Sequence, residues 1–200
     1  VFVFLALINA FNLIDGIDGL AGTIGIIVTA TFGSFYLLNE RYLMVIISFA
    51  LIGALLGFLR FNLSTGRKIF MGDSGSMFIG FILAYQAISF LEFNATVVTP
   101  YTVHVAPIMA MAILSFPILD TARIFAVRIS QKRSPFSADR NHIHHRLLAL
   151  GLSHKKATLT LGIINILVIA LAFLIKDLYI NLQLYLLVLV VPLLYFSPWL

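Results

Sequence analysis

Near its start the chain reads Asn9-Ala-Phe-Asn12-Leu-Ile-Asp15-Gly16-Ile-Asp18-Gly19, with an oxygen-bearing side chain at every third position. Residues three apart share a helix face, but a regular α-helix drifts by about 60° at each such step. Gly16 and Gly19 can open the turn and leave the two carboxylates in a loop. Oxygen ligands would then converge where an apolar run ends, whereas helix capping would explain only one of them.

A second group, Phe70-Met71-Gly72-Asp73-Ser74-Gly75-Ser76, leads into an apolar run beginning at Met77. Asp73 therefore stands at a helix entrance, where an N-cap role is the ordinary explanation. Glycine on either side of the acid lets a ligand approach the backbone, and free N–H groups at a helix start suit a phosphate. An acid beside a phosphate needs a divalent cation between them. Mg2+ bridges carboxylates to substrate phosphates in this way, with Mn2+ as the alternative.

The third group is Ser137-Ala-Asp139-Arg140-Asn141-His142-Ile-His144-His145-Arg146. Arg140 and the imidazoles of His142, His144 and His145 are donors suited to a diphosphate, Arg through bidentate contacts and His through hydrogen bonds or a proton. Zinc is the rival ligand, but the spacing is neither a helical His-Glu-x-x-His nor a Cys/His finger. A basic loop facing anionic lipid is the second rival.

These groups must be positioned by a very apolar chain. Of its 200 residues 61% are hydrophobic and only 10% charged. An ordinary soluble domain is nearer 25% charged, and one this small cannot bury so much apolar surface, so the solvent is lipid. The sequence has no cysteine, which excludes disulfides and thiolate metal sites. The net charge of +5 does not point to nucleic acid, because 11 of the 13 Lys and Arg fall within 60–68 or 123–156. Such clusters between apolar runs mark cytoplasmic loops, and they lack the aromatic interleaving of a nucleic-acid surface.

Apolar runs cover about 1–14, 22–38, 42–59, 77–91, 105–122, 158–175 and 181–196. The predicted fold is all-α, a polytopic transmembrane helix bundle of about seven spans. No repeat or linker divides it, so 1–200 reads as a single transmembrane domain, with 123–156 as its His/Arg loop. If the basic loops are cytoplasmic, counting crossings puts 15–21, 60–76 and 123–156 on one side, with Asp15, Asp18, Asp73, Asp120, Asp139 and four of the five histidines. Asp120 and Arg123 read as an i,i+3 ion pair. Asn62 and Phe70 can hydrogen-bond and stack on a base, with packing as the equal alternative, and His104 and His154 read as interfacial residues.

Taken together and in order, the three groups resemble the polyprenyl-phosphate N-acetylhexosamine-1-phosphate transferase family. The Pro135–His145 stretch is most similar to the undecaprenyl-phosphate GlcNAc-1-phosphate transferases, with the phospho-MurNAc-pentapeptide translocases as the alternative. A transporter or a non-enzymatic scaffold is the rival from another class. The resemblance implies a Mg2+-dependent phosphoglycosyl transferase of the bacterial inner membrane, its active site facing the cytoplasm. It would move N-acetylhexosamine-1-phosphate from a UDP-sugar to undecaprenyl phosphate, releasing UMP and starting a cell-envelope polysaccharide. By the same resemblance, Asp73 is the principal metal ligand with Asn12 as a second, and Asp15 and Asp18 shape the nucleotide-sugar site. Asn62 and Phe70 engage uracil, and Arg140 with His142, His144 and His145 handles the diphosphate. The family also carries an Asp-Asp pair on an earlier loop that does not occur in this sequence. That difference and the Val1 start lead to the expectation that N-terminal helices precede this segment. A homodimer is an open expectation.

Overall fold

A computed structural model describes residues 1–132, 134 and 142–197. They form α1 (Phe2–Leu13), α2 (Leu20–Leu38), α3 (Tyr42–Asn62), α4 (Gly72–Thr96), α5 (Ala106–Ile113), α6 (Ser115–Ser130), α7 (Ile143–Ala149), α8 (His154–Leu174) and α9 (Ile180–Phe196). No strand occurs among the described residues. Each apolar run of the sequence is helical, and the chain is a multi-pass, all-helical membrane protein.

The count of spans is lower than the run count. Among the described residues, only α2, α3, α4 and α8 are long and apolar enough to cross by themselves, and the bent pair α5–α6 makes up to five. Helices α1 and α9 have 12 and 17 residues. At 1.5 Å per residue these fall short of a hydrocarbon core about 30 Å thick. The run 105–122 breaks at Leu114, where α5 and α6 meet at 79°. Pro117 lies in the first turn of α6, and with no N–H it cannot bond the carbonyl four residues earlier. That carbonyl, Ile113, accepts instead from Asn165 Nδ2 of α8 at 3.2 Å. Tyr195 of α9 donates to Asn165 Oδ1 at 3.2 Å and lies 3.0 Å from Ser115 Oγ, so one polar chain ties the break to two neighbouring helices.

Close approach of small residues sets the packing of α2 on α3. A Cβ on Gly22, Gly25 or Gly33 would lie 2.8–2.9 Å from Leu59, Leu55 or Ser48 respectively, an antiparallel register in which the paired numbers sum to 80 or 81. Helices α1 and α4 use the same device at Gly80, where a Cβ would come within 3.0 Å of the Ile8 Cα. Antiparallel packing there brings the end of α1 beside the start of α4. Lipid-facing positions such as Leu43, Ile46 and Phe49 stay exposed on α3, a surface that costs little where the solvent is hydrocarbon.

Candidate active site at one membrane border

Helix α1 ends at Leu13 and α2 begins at Leu20, so Asp15 and Asp18 lie in the connecting turn as their flanking glycines predict. Gly19 takes a φ of 82°, a left-handed conformation that favours glycine. Asn9 leaves the series, because its side chain donates back to the Leu5 carbonyl of its own helix at 2.8 Å. Asn12 stays in it. Its Nδ2 donates to Ser76 Oγ at 2.7 Å and lies 3.2 Å from Asp73 Oδ1, bridging to the first turn of α4. The N-cap of α4 is Met71, with no side-chain cap bond. Asp73 is therefore not a cap. It projects from the first turn with its other oxygen open.

Asp15 is half-buried, and its carboxyl is pushed up to about 6, first by burial and then by the charges of Asp73 and Asp18. Among the described residues neither Asp15 nor Asp73 has a basic partner, whereas Asp18 is met by Lys68, so the first two leave an imbalance that a cation would relieve. Among the described residues no three His, Asp or Glu converge as a ready metal cage. The donors present suit an ion held by one or two protein oxygens and completed by substrate phosphates, the habit of Mg2+. Asp73 and the free Oδ1 of Asn12 are the atoms that would hold it.

A stability measurement checks this balance. Since the folded Asp15 carboxyl titrates near 6 instead of 3.8, its penalty is absent below pH 4, grows as pH rises and is complete above pH 6. Asp15→Asn should therefore match the wild type at pH 4 and exceed it at pH 7. After discounting for solvent screening the gain is on the order of 1 kcal/mol, and added Mg2+ should shrink it. Equal denaturation midpoints at both pH values would remove the crowding.

Asp18 does different work. Its Oδ2 accepts from Lys68 Nζ at 2.7 Å and lies 2.9 Å from His154 Nδ1, while its carbonyl accepts from Thr158 Oγ1 at 2.8 Å. One acid joins the α1–α2 turn, the α3–α4 loop and the start of α8, and His154 is its hydrogen-bond partner rather than a lone interfacial residue. Asn62 is buried and spent inside the chain. Its Oδ1 accepts from the Gly19 N–H at 2.7 Å and its Nδ2 donates to the Ile69 carbonyl at 2.8 Å. Phe70 is exposed, with Lys68 Nζ 5.2 Å from its ring centre.

The imidazoles come together against the same turn. His142 precedes α7 in extended backbone, and its ring stacks on that of His144 at 5.4 Å and 10°. His144 and His145 lie 4.3 Å apart between ring centres. His142 is extended while His144 and His145 lie in the first turn of α7, so its ring meets both, with His145 6.4 Å away between ring centres. His144 is fully buried, and among the described residues neither of its nitrogens has a hydrogen-bond partner. Burial holds its ring down to about 3, so it is neutral near pH 7. The ring lies on Gly16, where an added Cβ would be 2.0 Å from Nε2. Arg140 lies outside the described residues.

Sequence reasoning missed the fixed partner of this cluster. Asp120 of α6 is fully buried, and its two oxygens face His142 Nδ1 at 2.7 Å and the Ile143 N–H at 2.8 Å. A buried acid in an apolar run was a visible signal, but its nearest cation in sequence, Arg123, drew the expected pairing. Arg123 itself lies over the Phe196 ring at 6.0 Å. At the opposite end of the bundle, a cavity of about 420 Å³ lined by residues such as Thr31, Tyr101, His104 and Asp177 is remote from these carboxylates.

Residues 1–91 match glycosyl transferase family 4. The chain is 38% identical over 157 residues to a probable undecaprenyl-phosphate N-acetylglucosaminyl 1-phosphate transferase of Bacillus subtilis, covering 78% of this chain and 42% of that protein. It is 35% identical over 159 residues to the undecaprenyl-phosphate alpha-N-acetylglucosaminyl 1-phosphate transferase of Escherichia coli K12, covering 78% and 41%. To the decaprenyl-phosphate N-acetylglucosaminephosphotransferase of Mycolicibacterium smegmatis it is 39% identical over 167 residues, covering 78% and 41%. The chain spans about two fifths of the length of these relatives. One border gathers carboxylates, a phosphate-suited helix start and three imidazoles, and residues 1–91, which hold the carboxylates Asp15, Asp18 and Asp73 and that helix start, are similar to glycosyl transferase family 4.

Proposed function

We propose that this chain forms a catalytic transmembrane domain, 1–200, of an enzyme that transfers GlcNAc-1-phosphate from UDP-GlcNAc to undecaprenyl phosphate and releases UMP. The observation that carries the reading is the Asn12–Asp73–Ser76 junction, at the same border as the imidazole cluster whose His144 packs on Gly16. A lipid phosphate and a soluble nucleotide must meet there. The site is assigned to the cytoplasmic side of the inner membrane, where UDP-sugars are made and where basic loops reside.

In the reaction a phosphate oxygen of the lipid attacks the β-phosphorus of the UDP-sugar, and the bond from that phosphorus to the oxygen bridging to UMP breaks. Bound Mg2+ would offset the diphosphate charge. Asp73 and Asn12 present the oxygens that would hold it, while Asp15 keeps the border acidic beside them. Asp18 draws Lys68 and the 64–71 loop inward, leaving Phe70 open to stack on uracil. Asn62 acts one step back, fixing the Gly19 turn and the Ile69 backbone. The segment between α6 and α8 would supply Arg140, His142 and His145 around the departing phosphate, while His144, expected among them, is buried and instead seats this cluster on Gly16. Such catalysis is mainly positioning and electrostatics.

The test is a radiolabel transfer assay on the complete gene product in membranes, with UDP-GlcNAc, UDP-GalNAc and UDP-MurNAc-pentapeptide competing and Mg2+ or Mn2+ supplied. Preferential transfer from UDP-GlcNAc with stoichiometric UMP is expected; transfer from the pentapeptide donor alone would replace this reading with the translocase one. Topology is checked separately. Because the chain has no cysteine, Thr65→Cys and Lys156→Cys should resist an impermeant thiol reagent in intact cells, and the exposed Val98→Cys should label. The reverse pattern would place the carboxylates outside and end the nucleotide-sugar argument.

A further inference from the structure

Resting on the transfer reaction proposed above, we infer that Asp120 is a positioning residue: it captures the Nδ1 proton of His142 and the first N–H of α7, so that Nε2 is the nitrogen His142 presents to substrate. The two residues are 22 apart in sequence and lie on different elements. Asp120 is fully buried and His142 is 5% exposed. A carboxylate can only accept, so the 2.7 Å contact from Oδ2 requires the hydrogen on Nδ1. The other oxygen accepts from the Ile143 N–H at 2.8 Å. Helix α7 has no side-chain cap of its own, so the acid of α6 both closes its first turn and sets the ring plane of the residue before it.

That ring in turn carries its neighbours. His142 stacks on His144 at 10°, and His144 presses on Gly16 in the turn that bears Asp15 and Asp18. A side chain two bonds removed from any phosphate would thereby register the imidazole cluster against the carboxylate cluster. Orientation of a histidine by a buried carboxylate on its far nitrogen is a general device for fixing the tautomer.

Asn at position 120 separates positioning from simple anchoring. Its amide oxygen can still accept from Ile143, but its NH2 then faces His142 Nδ1 and inverts the tautomer. In the complete gene product, Asp120→Asn should leave the melting temperature unchanged and lower turnover about 10–100-fold, the usual effect of removing a ring's outer partner. Combined with His142→Ala, it should be no slower than His142→Ala alone, because it acts through that ring. In ¹⁵N-histidine-labelled protein the proton of the His142 ring should sit on Nδ1 in the wild type and move to Nε2 in Asp120→Asn. Should Asp120→Asn fail to fold, His142→Asn supplies the second test. It keeps a donor to Asp120 but has no Nε2, so it should fold and turn over no faster than His142→Ala.

Full turnover in Asp120→Asn, additive losses in the double variant, an Nε2-protonated wild-type ring, or an active His142→Asn would each overturn the inference. Absence of transfer by the wild type would overturn the proposed function instead, while the ring tautomer would still decide the Asp120 contact.

Discussion

Asp73→Asn in the complete gene product is expected to lower sugar-phosphate transfer by at least about 10³-fold while the bundle stays folded. The side chain keeps its shape and can still pair with Asn12, but the position loses the full charge that would oppose a divalent cation. Three features make the loss functional rather than structural. Met71, not Asp73, is the N-cap of α4. Asp73 is exposed, and the packing of α1 on α4 rests on Gly80 and Ile8 two turns away. A charge favourable to the helix start is worth only about 0.3–1 kcal/mol at such a position. The substitution also removes one of the two charges that raise Asp15, so part of that loss should be regained. Measuring transfer, Mg2+ dependence and thermal midpoint together decides the matter. Retained turnover with a normal Mg2+ response would remove Asp73 from the metal site, and unfolding would show that its role is structural.

Gly16→Ala should be nearly as damaging, by a different route. The new methyl would lie 2.0 Å from His144 Nε2 and 2.7 Å from Cε1. His144 has no exposed surface into which its ring can swing, so either the 14–19 turn or α7 must move. Overpacking of a buried site costs about 1–3 kcal/mol, and here the displaced parts bear the carboxylates on one side and the imidazoles on the other. Loss of transfer should therefore exceed the loss of stability. The φ of Gly16 lies outside the left-handed region, so backbone strain does not contribute. The double variant Gly16→Ala/His144→Ala makes the test specific, because removing the ring should restore the lost stability. If Gly16→Ala alone is stable and active, the imidazoles are not seated on this turn.

How much of this site was legible in the sequence follows from the range over which each signal acts. Charge in so apolar a chain is confined to the ends of spans by the cost of burying it in lipid. That is why composition alone assigns Asp15, Asp18, Asp73 and four of the five histidines to one border. Gly16 and Gly19 likewise announced a loop between α1 and α2, since they permit what other residues resist. Hydropathy could count apolar runs, but not see that Pro117 breaks one of them and that Asn165, 52 residues away, takes up the freed carbonyl.

Only the tertiary structure decided which oxygen meets which partner. Asn12 meets Asp73 and Ser76 because the close approach at Gly80 sets the register of α1 on α4. Asp18 pairs with Lys68 and His154, Asn62 with Gly19, and Asp120 with His142. Local periodicity and composition carry depth and side, because the bilayer acts on each residue separately. Pairings depend on how two helices slide past one another, and that is settled by packing contacts between residues far apart in the chain.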